Sequence, residues 1–170
     1  MSLYLKRPAQ PVFHPIGAAC GFYAAKFMLA LVGGELWETV PQNLRDALGK
    51  PVWPADLARL LTQSGHPAHV HLLGHLGAVG RRDFIHGQIA MGKPVALFVR
   101  AKLVSLHWLV VCGETPPFLL VYDPREKYGP SSEKGGCPIG NRRIPTEDVF
   151  SLWWGSLLFP RQRYQAVAFV

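Results

Sequence analysis

The sequence contains few cysteines, and none is spaced for pairing or for a metal cluster. Only three occur, Cys20, Cys112 and Cys137, and none belongs to a Cys-x-x-Cys motif. Because an odd number of cysteines cannot pair completely within one chain, a secreted disulfide scaffold is disfavoured. The composition favours a reducing compartment or one free, reactive thiol.

Long apolar runs are also missing. No segment approaches the roughly 18 consecutive apolar residues of a membrane helix. The opening residues, MSLYLKRPAQP, lack the apolar run of a signal peptide. We therefore expect no membrane partner, and either a cytoplasmic location or export without a cleaved signal peptide, as for a secreted bacterial effector.

Acidic residues are scarcer than basic ones. There are 11 Asp and Glu against 18 Lys and Arg, which gives a formal net charge of +7. The basic residues form scattered short clusters, without zinc-finger spacing or an aromatic-basic RNA-binding pattern, so we expect no nucleic-acid partner. A chain of 170 residues that is 49% hydrophobic suits one domain, spanning residues 1–170, with a sizeable core.

The hydrophobic pattern changes from helical to β along the chain. Helices are predicted over 18–32, 39–49, 53–64 and 82–91, with one strand over 69–73. The runs PVALFVR, HWLVVCG and FLLVYDP then predict three consecutive antiparallel strands. Residues 125–144 predict an exposed loop, PTEDVFSLWWG a helix and YQAVAFV a closing strand. This order predicts an α+β fold with two lobes.

Cys20 lies in the first turn of the first predicted helix. The unpaired N–H groups at a helix start stabilise a thiolate, and so does a neighbouring histidine. A lone helix cysteine is, however, more often a buried structural residue. Its interpretation as a nucleophile therefore requires a base and a group that orients this base.

His107 and Asp123 could supply those two groups. If the turn between their strands is centred on Thr115, His107 lies directly opposite Asp123, with Cβ atoms about 5 Å apart. A carboxylate there would hold the imidazole in its catalytic tautomer. The alternative is an ordinary histidine and a turn aspartate at the ends of two strands.

Four motifs together resemble a known family. ACGFYAAKFML, MGKPVALFVR, HWLVVCGE and FLLVYDP follow in the order typical of papain-like cysteine peptidases, and are most similar to the C39-like branch. The resemblance implies a papain-like domain in which the nucleophile helix packs against an antiparallel sheet. It also implies Cys20 as nucleophile, His107 as general base and acid, and Asp123 as the residue that orients His107.

One position departs from the family pattern. These enzymes usually carry a glutamine six residues before the cysteine, where its amide helps to bind the oxyanion. Here that position is His14, and Gln10 lies four residues further back. Either side chain could donate alongside the Cys20 backbone N–H. The alternative is that His14 is an ordinary loop histidine.

The expected activity is that of a thiol hydrolase that attacks an amide bond in a protein or peptide. Among such hydrolases, a cysteine peptidase is the favoured interpretation. The same chemistry would serve a glutamine deamidase or transamidase effector, and the fold would also serve a non-catalytic peptide-binding module. This mechanism needs no cofactor. The oligomeric state is left open by the sequence.

The remaining histidines and cysteines have simpler interpretations. His69 and His71 would share one strand face, but no cysteine or carboxylate follows at ligand spacing, so we expect no metal site. Trp108 and Cys112 are expected on the strand face opposite His107, buried and inert. Cys137 is expected to be exposed.

Overall fold

An antiparallel sheet organises the chain. The computed structural model describes residues 2–5, 19–33, 50–100, 106–125, 139–154 and 163–170. The strands in these ranges are β1 (Leu3–Tyr4), β2 (Ala68–Leu72), β3 (Val95–Arg100), β4 (Leu106–Thr115), β5 (Phe118–Tyr122), β6 (Arg142–Pro145) and β7 (Gln165–Phe169). Their order is β2-β7-β3-β4-β5-β6, and β1 pairs with β4 beyond the end of β3.

Helices cover both faces of this sheet. They are α1 (Cys20–Gly33), α2 (Pro54–Gln63), α3 (Ala78–Ala90) and α4 (Thr146–Trp153). Helix α1 packs against β3 and β4, and α4 packs against β3, β5 and β6. All residues of β3 from Val95 to Val99 are buried, as expected for a strand covered on both faces. None of these described helices is long and apolar enough to cross a membrane.

Aromatic side chains mark the face of the sheet that α1 covers. Phe27 of α1 stacks on Tyr122 of β5 with ring centroids 4.3 Å apart. Trp108 of β4 donates its indole N–H to the Val52 carbonyl oxygen at 2.9 Å, and its ring lies 4.7 Å from that of Phe98. Because side chains alternate along a strand, the neighbours of Trp108 point to the other face, where α4 lies.

Most predicted elements are present, with the expected shift from helices to strands. Helix α3 begins four residues before its predicted start, and the helix predicted over 39–49 lies outside the described residues. The loop predicted over 125–144 was wrong at its end, because Arg142, Arg143 and Ile144 form β6 and pair with β5. Two adjacent arginines concealed this edge strand, since they lack the apolar alternation of a strand.

The hairpin between β4 and β5 also differs from the prediction. Strand β4 continues through Thr115, which pairs with Phe118, so the turn consists of Pro116 and Pro117 alone. A bulge between Val111 and Gly113 then changes the register, and Val110 pairs with Tyr122. The predicted direct opposition of His107 and Asp123 is therefore wrong, because this register places Asp123 diagonally across from His107.

The bulge decides which face of the sheet Asp123 occupies. The register nearest the turn, continued without a bulge, would pair Val110 with Asp123 and would place Asp123 on the face opposite His107. The extra residue, Cys112, shifts the pairing by one and reverses this assignment. His107 and Asp123 consequently share a face, as predicted, although by a different register.

Gly21 allows the start of α1 to approach the segment before α2. A Cβ at Gly21 would overlap the Cβ of Val52. We expect Gly21→Ala to lower the free energy of unfolding by about 1–3 kcal/mol, because overpacking a tight contact displaces its neighbours. Urea denaturation would measure the change.

Gly87 provides a matched control within helix α3. No atom lies within 4 Å of a Cβ placed there, and its helical backbone suits alanine. Gly87→Ala should therefore raise the free energy of unfolding by roughly 0.5–1 kcal/mol. Equal effects of the two substitutions would contradict the close contact between Gly21 and Val52.

Candidate active site

Cys20 is the first residue of α1. Its side chain is half-buried, and the Trp108 backbone helps to lower the pKa of its thiol. The first N–H groups of a helix have no carbonyl partner within the helix, so they favour an anion at this position. The fold thus presents a thiol at a helix start beside strand β4, as the sequence predicted.

His107 and Asp123 form a buried pair beside this thiol. The His107 Nε2 atom lies 2.7 Å from Asp123 Oδ1, and the two residues are only 3% and 4% exposed. The other ring nitrogen, Nδ1, is buried and makes no hydrogen bond of normal geometry with any described residue. Cys20 nevertheless interacts with the His107 ring, so this contact is looser than the one with Asp123.

The charges of these groups favour an ion pair. Burial alone raises the pKa of the Cys20 thiol, but the hydrogen bond and charge of His107, with a smaller effect of Arg125, bring that pKa below its ordinary value. Burial likewise lowers the pKa of His107, and the interactions with Asp123 and Cys20 outweigh it and raise that pKa. Both shifts favour a thiolate beside an imidazolium.

Asp123 is held as a carboxylate by several donors. Burial raises its pKa, but His107, the Arg125 backbone N–H and the Arg142 guanidinium together bring that pKa below the ordinary value. Arg125 N donates to Oδ1 at 3.0 Å, and Arg142 Nη1 donates to Oδ2 at 2.8 Å. Asp123 Oδ1 is therefore hydrogen-bonded to His107, while Oδ2 is paired with the Arg142 guanidinium.

The backbone of Asp123 is clamped by Asn141. Asp123 N donates to Asn141 Oδ1 at 2.7 Å, and Asn141 Nδ2 donates to the Asp123 carbonyl oxygen at 2.8 Å. Gly140, just before it, has φ +79°, and a Cβ there would overlap the Val121 carbonyl oxygen. This pairing fixes the end of β5 and with it the direction of the Asp123 side chain.

Sequence analysis missed Asn141 and Arg142 because both fell in the predicted loop. The one available signal was the dipeptide Gly140-Asn141, which is typical of a tight turn. This dipeptide indicated a turn, but it did not indicate that Asn141 bonds to the buried backbone of Asp123.

The pair opens onto a cavity of about 350 Å³. Its walls include Val99, His107, Leu109 and Asp123 from the strand side and Asp148 and Leu152 from α4. Three arginines and Ile144 also line it.

Other residues singled out in the sequence have structural environments or lie outside the described ranges. Cys112 is fully buried and donates to the Leu120 carbonyl oxygen at 3.3 Å, and Trp108 is 1% exposed. The predicted oxyanion residues His14 and Gln10 lie outside the described residues, as does Cys137.

The histidines of β2 lie apart from this site. The His71 ring packs 4.8 Å from that of Phe84, and burial, with a smaller contribution from His69, lowers the pKa of His71. Within the ranges that the structure describes, no group of three His, Cys, Asp or Glu side chains could hold a metal ion.

Comparison with known proteins identifies the fold. No family model matches the chain, and no curated protein matches it in sequence. A crystal structure of a candidate C39-like peptidase from Bacillus anthracis superposes with a TM-score of 0.59 at 12% identity, covering 100% of this chain and 98% of the other. The chain therefore has a papain-like α+β fold related to that of C39-like peptidases, as its motifs suggested.

The His107–Asp123 contact predicts a specific effect on the imidazole. Asp123→Asn should lower the pKa of His107, because the carboxylate is its strongest charge-stabilising partner. NMR titration of the histidine ring would measure this change. Asp148→Asn removes the same charge from the same cavity without a contact to His107, and it should leave that pKa nearly unchanged.

The two pKa shifts also predict a stability maximum. The lowered pKa of Asp123 contributes stability above the unfolded value of about 3.9, which is lost as the pH falls through the folded value. The raised pKa of His107 contributes stability below about 6.5, which is lost as the pH rises through the folded value. The free energy of unfolding of the wild type should therefore exceed that of Asp123→Asn by the largest amount between about pH 4 and 6.5. A pH-independent difference in urea denaturation would contradict the pairing.

Proposed function

We propose that this chain is a papain-like thiol hydrolase that cleaves an amide bond in a protein or peptide. The observation that carries the proposal is the buried His107–Asp123 hydrogen bond next to Cys20, a thiol of lowered pKa at the start of a helix. A lowered thiol pKa together with a base and an orienting carboxylate are what nucleophilic catalysis by cysteine requires. The fold supports this proposal, since it is related to that of a candidate peptidase.

In the first step, the Cys20 thiolate attacks the carbonyl carbon of the substrate. A carbon–sulfur bond forms, and the electrons of the carbonyl bond move to oxygen. The His107 imidazolium then gives its proton to the amide nitrogen, the carbon–nitrogen bond breaks and an amine departs. A thioester on Cys20 remains, and His107 is neutral.

In the second step, water replaces the amine. Neutral His107 takes a proton from a water molecule, and the resulting hydroxide attacks the thioester carbonyl. The carbon–sulfur bond breaks, an acid product leaves, and Cys20 again carries the thiolate beside a protonated His107. Asp123 remains ionised throughout, because its task is to orient the imidazole and to stabilise its positive charge.

The oxyanion of both steps needs hydrogen-bond donors. The Cys20 backbone N–H at the start of α1 is one donor, since no residue four positions earlier belongs to the helix. We propose His14 or Gln10 as the second donor. Removing one such donor typically costs about 100-fold or more in kcat.

Substitution of the proposed nucleophile and base tests the mechanism. Cys20→Ala should abolish turnover while the circular dichroism spectrum and melting temperature stay close to wild type, because the site loses its covalent step. His107→Ala should be nearly as severe, and the double variant little worse than either, because the groups act as a unit. Asp123→Asn should cost less. Release of an amine from a peptide mixture provides the readout.

Cys112→Ala is the matched control for loss of a thiol. This cysteine is fully buried and bonded to the Leu120 carbonyl oxygen, away from the His107 face. The variant should retain turnover, even if its stability falls. Turnover that survives in Cys20→Ala would refute the proposed hydrolase and would favour the peptide-binding alternative.

Intact mass analysis of treated proteins distinguishes the two hydrolytic outcomes. A peptidase produces shorter fragments, whereas a deamidase acting on glutamine side chains adds about one mass unit without cleavage. We expect fragments, and we expect them to disappear with Cys20→Ala.

A further inference from the structure

The cavity beside His107 is lined by more positively charged side chains than carboxylates. Arg100, Arg125 and Arg142 all line it, together with two carboxylates, Asp123 and Asp148. Arg142 is bound to Asp123 at 2.8 Å, so its charge is compensated within the site. Arg100 and Arg125 make no ion pair with any residue in the described ranges.

Both arginines line the cavity that His107 and Asp123 also line. Arg125 follows two residues after Asp123, and its charge contributes to lowering the pKa of the Cys20 thiol. Arg100 pairs across the sheet with Leu106, the residue before His107. The cavity is therefore lined by one cation at the end of β3 and another just beyond β5, neither of them in an ion pair with a described residue.

The remaining acid of the cavity does not cancel this charge. Asp123 is shared between His107 and Arg142, which leaves Asp148 as the one uncommitted carboxylate among the described lining residues. Asp148 is exposed to solvent in the first turn of α4, where water and the helix start stabilise its charge. The uncommitted lining groups thus carry two positive charges against one negative charge.

We propose that this cavity selects substrates that carry a carboxylate next to the amide bond to be cleaved, with Arg100 and Arg125 as its binding residues. Arginine suits the role because its planar fork of N–H groups matches a carboxylate geometrically. The carboxylate belongs either to an acidic side chain or to the C-terminus of a peptide, and both present the same two oxygens. The inference rests on the proposed function, because it assigns a substrate class to that same site.

Alkylation of Cys20 tests the anion site without any known substrate. Iodoacetate and iodoacetamide form the same bond to sulfur and release iodide, but only iodoacetate carries a carboxylate. We expect wild-type Cys20 to prefer iodoacetate over iodoacetamide, relative to free cysteine in the same buffer. Peptide mapping by mass spectrometry measures the two rates at Cys20 alone. The preference should weaken as salt is added, because ions screen the guanidinium charges.

The double variant Arg100→Gln/Arg125→Gln should lower this preference by roughly tenfold at low salt. Loss of the Arg125 charge also raises the pKa of the thiol, but that change slows both reagents alike and cancels in their ratio. Arg59→Gln is the matched control, since it removes one positive charge from an ion pair with Asp56 on the surface of α2. Its ratio should equal that of the wild type. An unchanged ratio in the double variant would overturn the proposal.

Peptides then separate the two sources of the carboxylate. Internally quenched peptides that differ only in Glu, Gln or Lys at one position report on an acidic side chain. Pairs with a free or an amidated C-terminus report on a chain end. We expect one set to show a preference of about tenfold or more in kcat/KM for the carboxylate form, and the double variant to lose it. Equal cleavage of all forms by the wild type would overturn the substrate class.

The failure of this inference is distinguishable from failure of the proposed hydrolase. If Cys20 is no more reactive than a free thiol and no peptide is cleaved, the hydrolase proposal itself fails, and the substrate class assigned to the site fails with it. If Cys20 is reactive and peptides are cleaved without regard to a carboxylate, the hydrolase stands and the anion site alone is wrong.

Discussion

The site depends on one irregularity in the sheet, the bulge at Cys112. Side chains alternate strictly along a strand, so a shift of one residue in pairing exchanges the two faces. The two-residue turn at Pro116-Pro117 alone would direct Asp123 away from His107, and the bulge restores the shared face. The 2.7 Å hydrogen bond between the two side chains, and every pKa shift that follows from it, therefore requires this extra residue.

Burial makes this hydrogen bond chemically useful. Desolvation acts against the charged form of all three groups, since it raises the pKa of Cys20 and Asp123 and lowers that of His107. The net shifts go the other way in each case because every charge has a partner within the site. Arg142 belongs to this balance, because a buried carboxylate with a second cationic partner stays ionised while its other oxygen orients the imidazole.

The sequence predicted the fold class and the elements that carry the site, because these depend on local patterns. The apolar runs of β3, β4 and β5 and the helix after Cys20 are clear in the hydrophobic periodicity. The support around Asp123 could not be predicted, since it depends on long-range pairing. Nothing local indicates that Asn141 returns to clamp a backbone 18 residues earlier, or that Arg142 reaches its carboxylate. The prediction that His107 and Asp123 share a face rested on a wrong register. That register differed from the observed one by an even number of residues, and such a shift leaves side chains on the same face of the sheet.

The same reasoning explains how this chain and a solved structure can share a fold at 12% identity. Strands buried on both faces require apolar side chains of suitable volume but few particular residues, so their sequences can change extensively. Stricter requirements fall on isolated positions, such as Gly21 against Val52 and Gly140 against the Val121 carbonyl oxygen. The chemistry proposed for the site adds three further required groups: a thiol, an imidazole and a carboxylate.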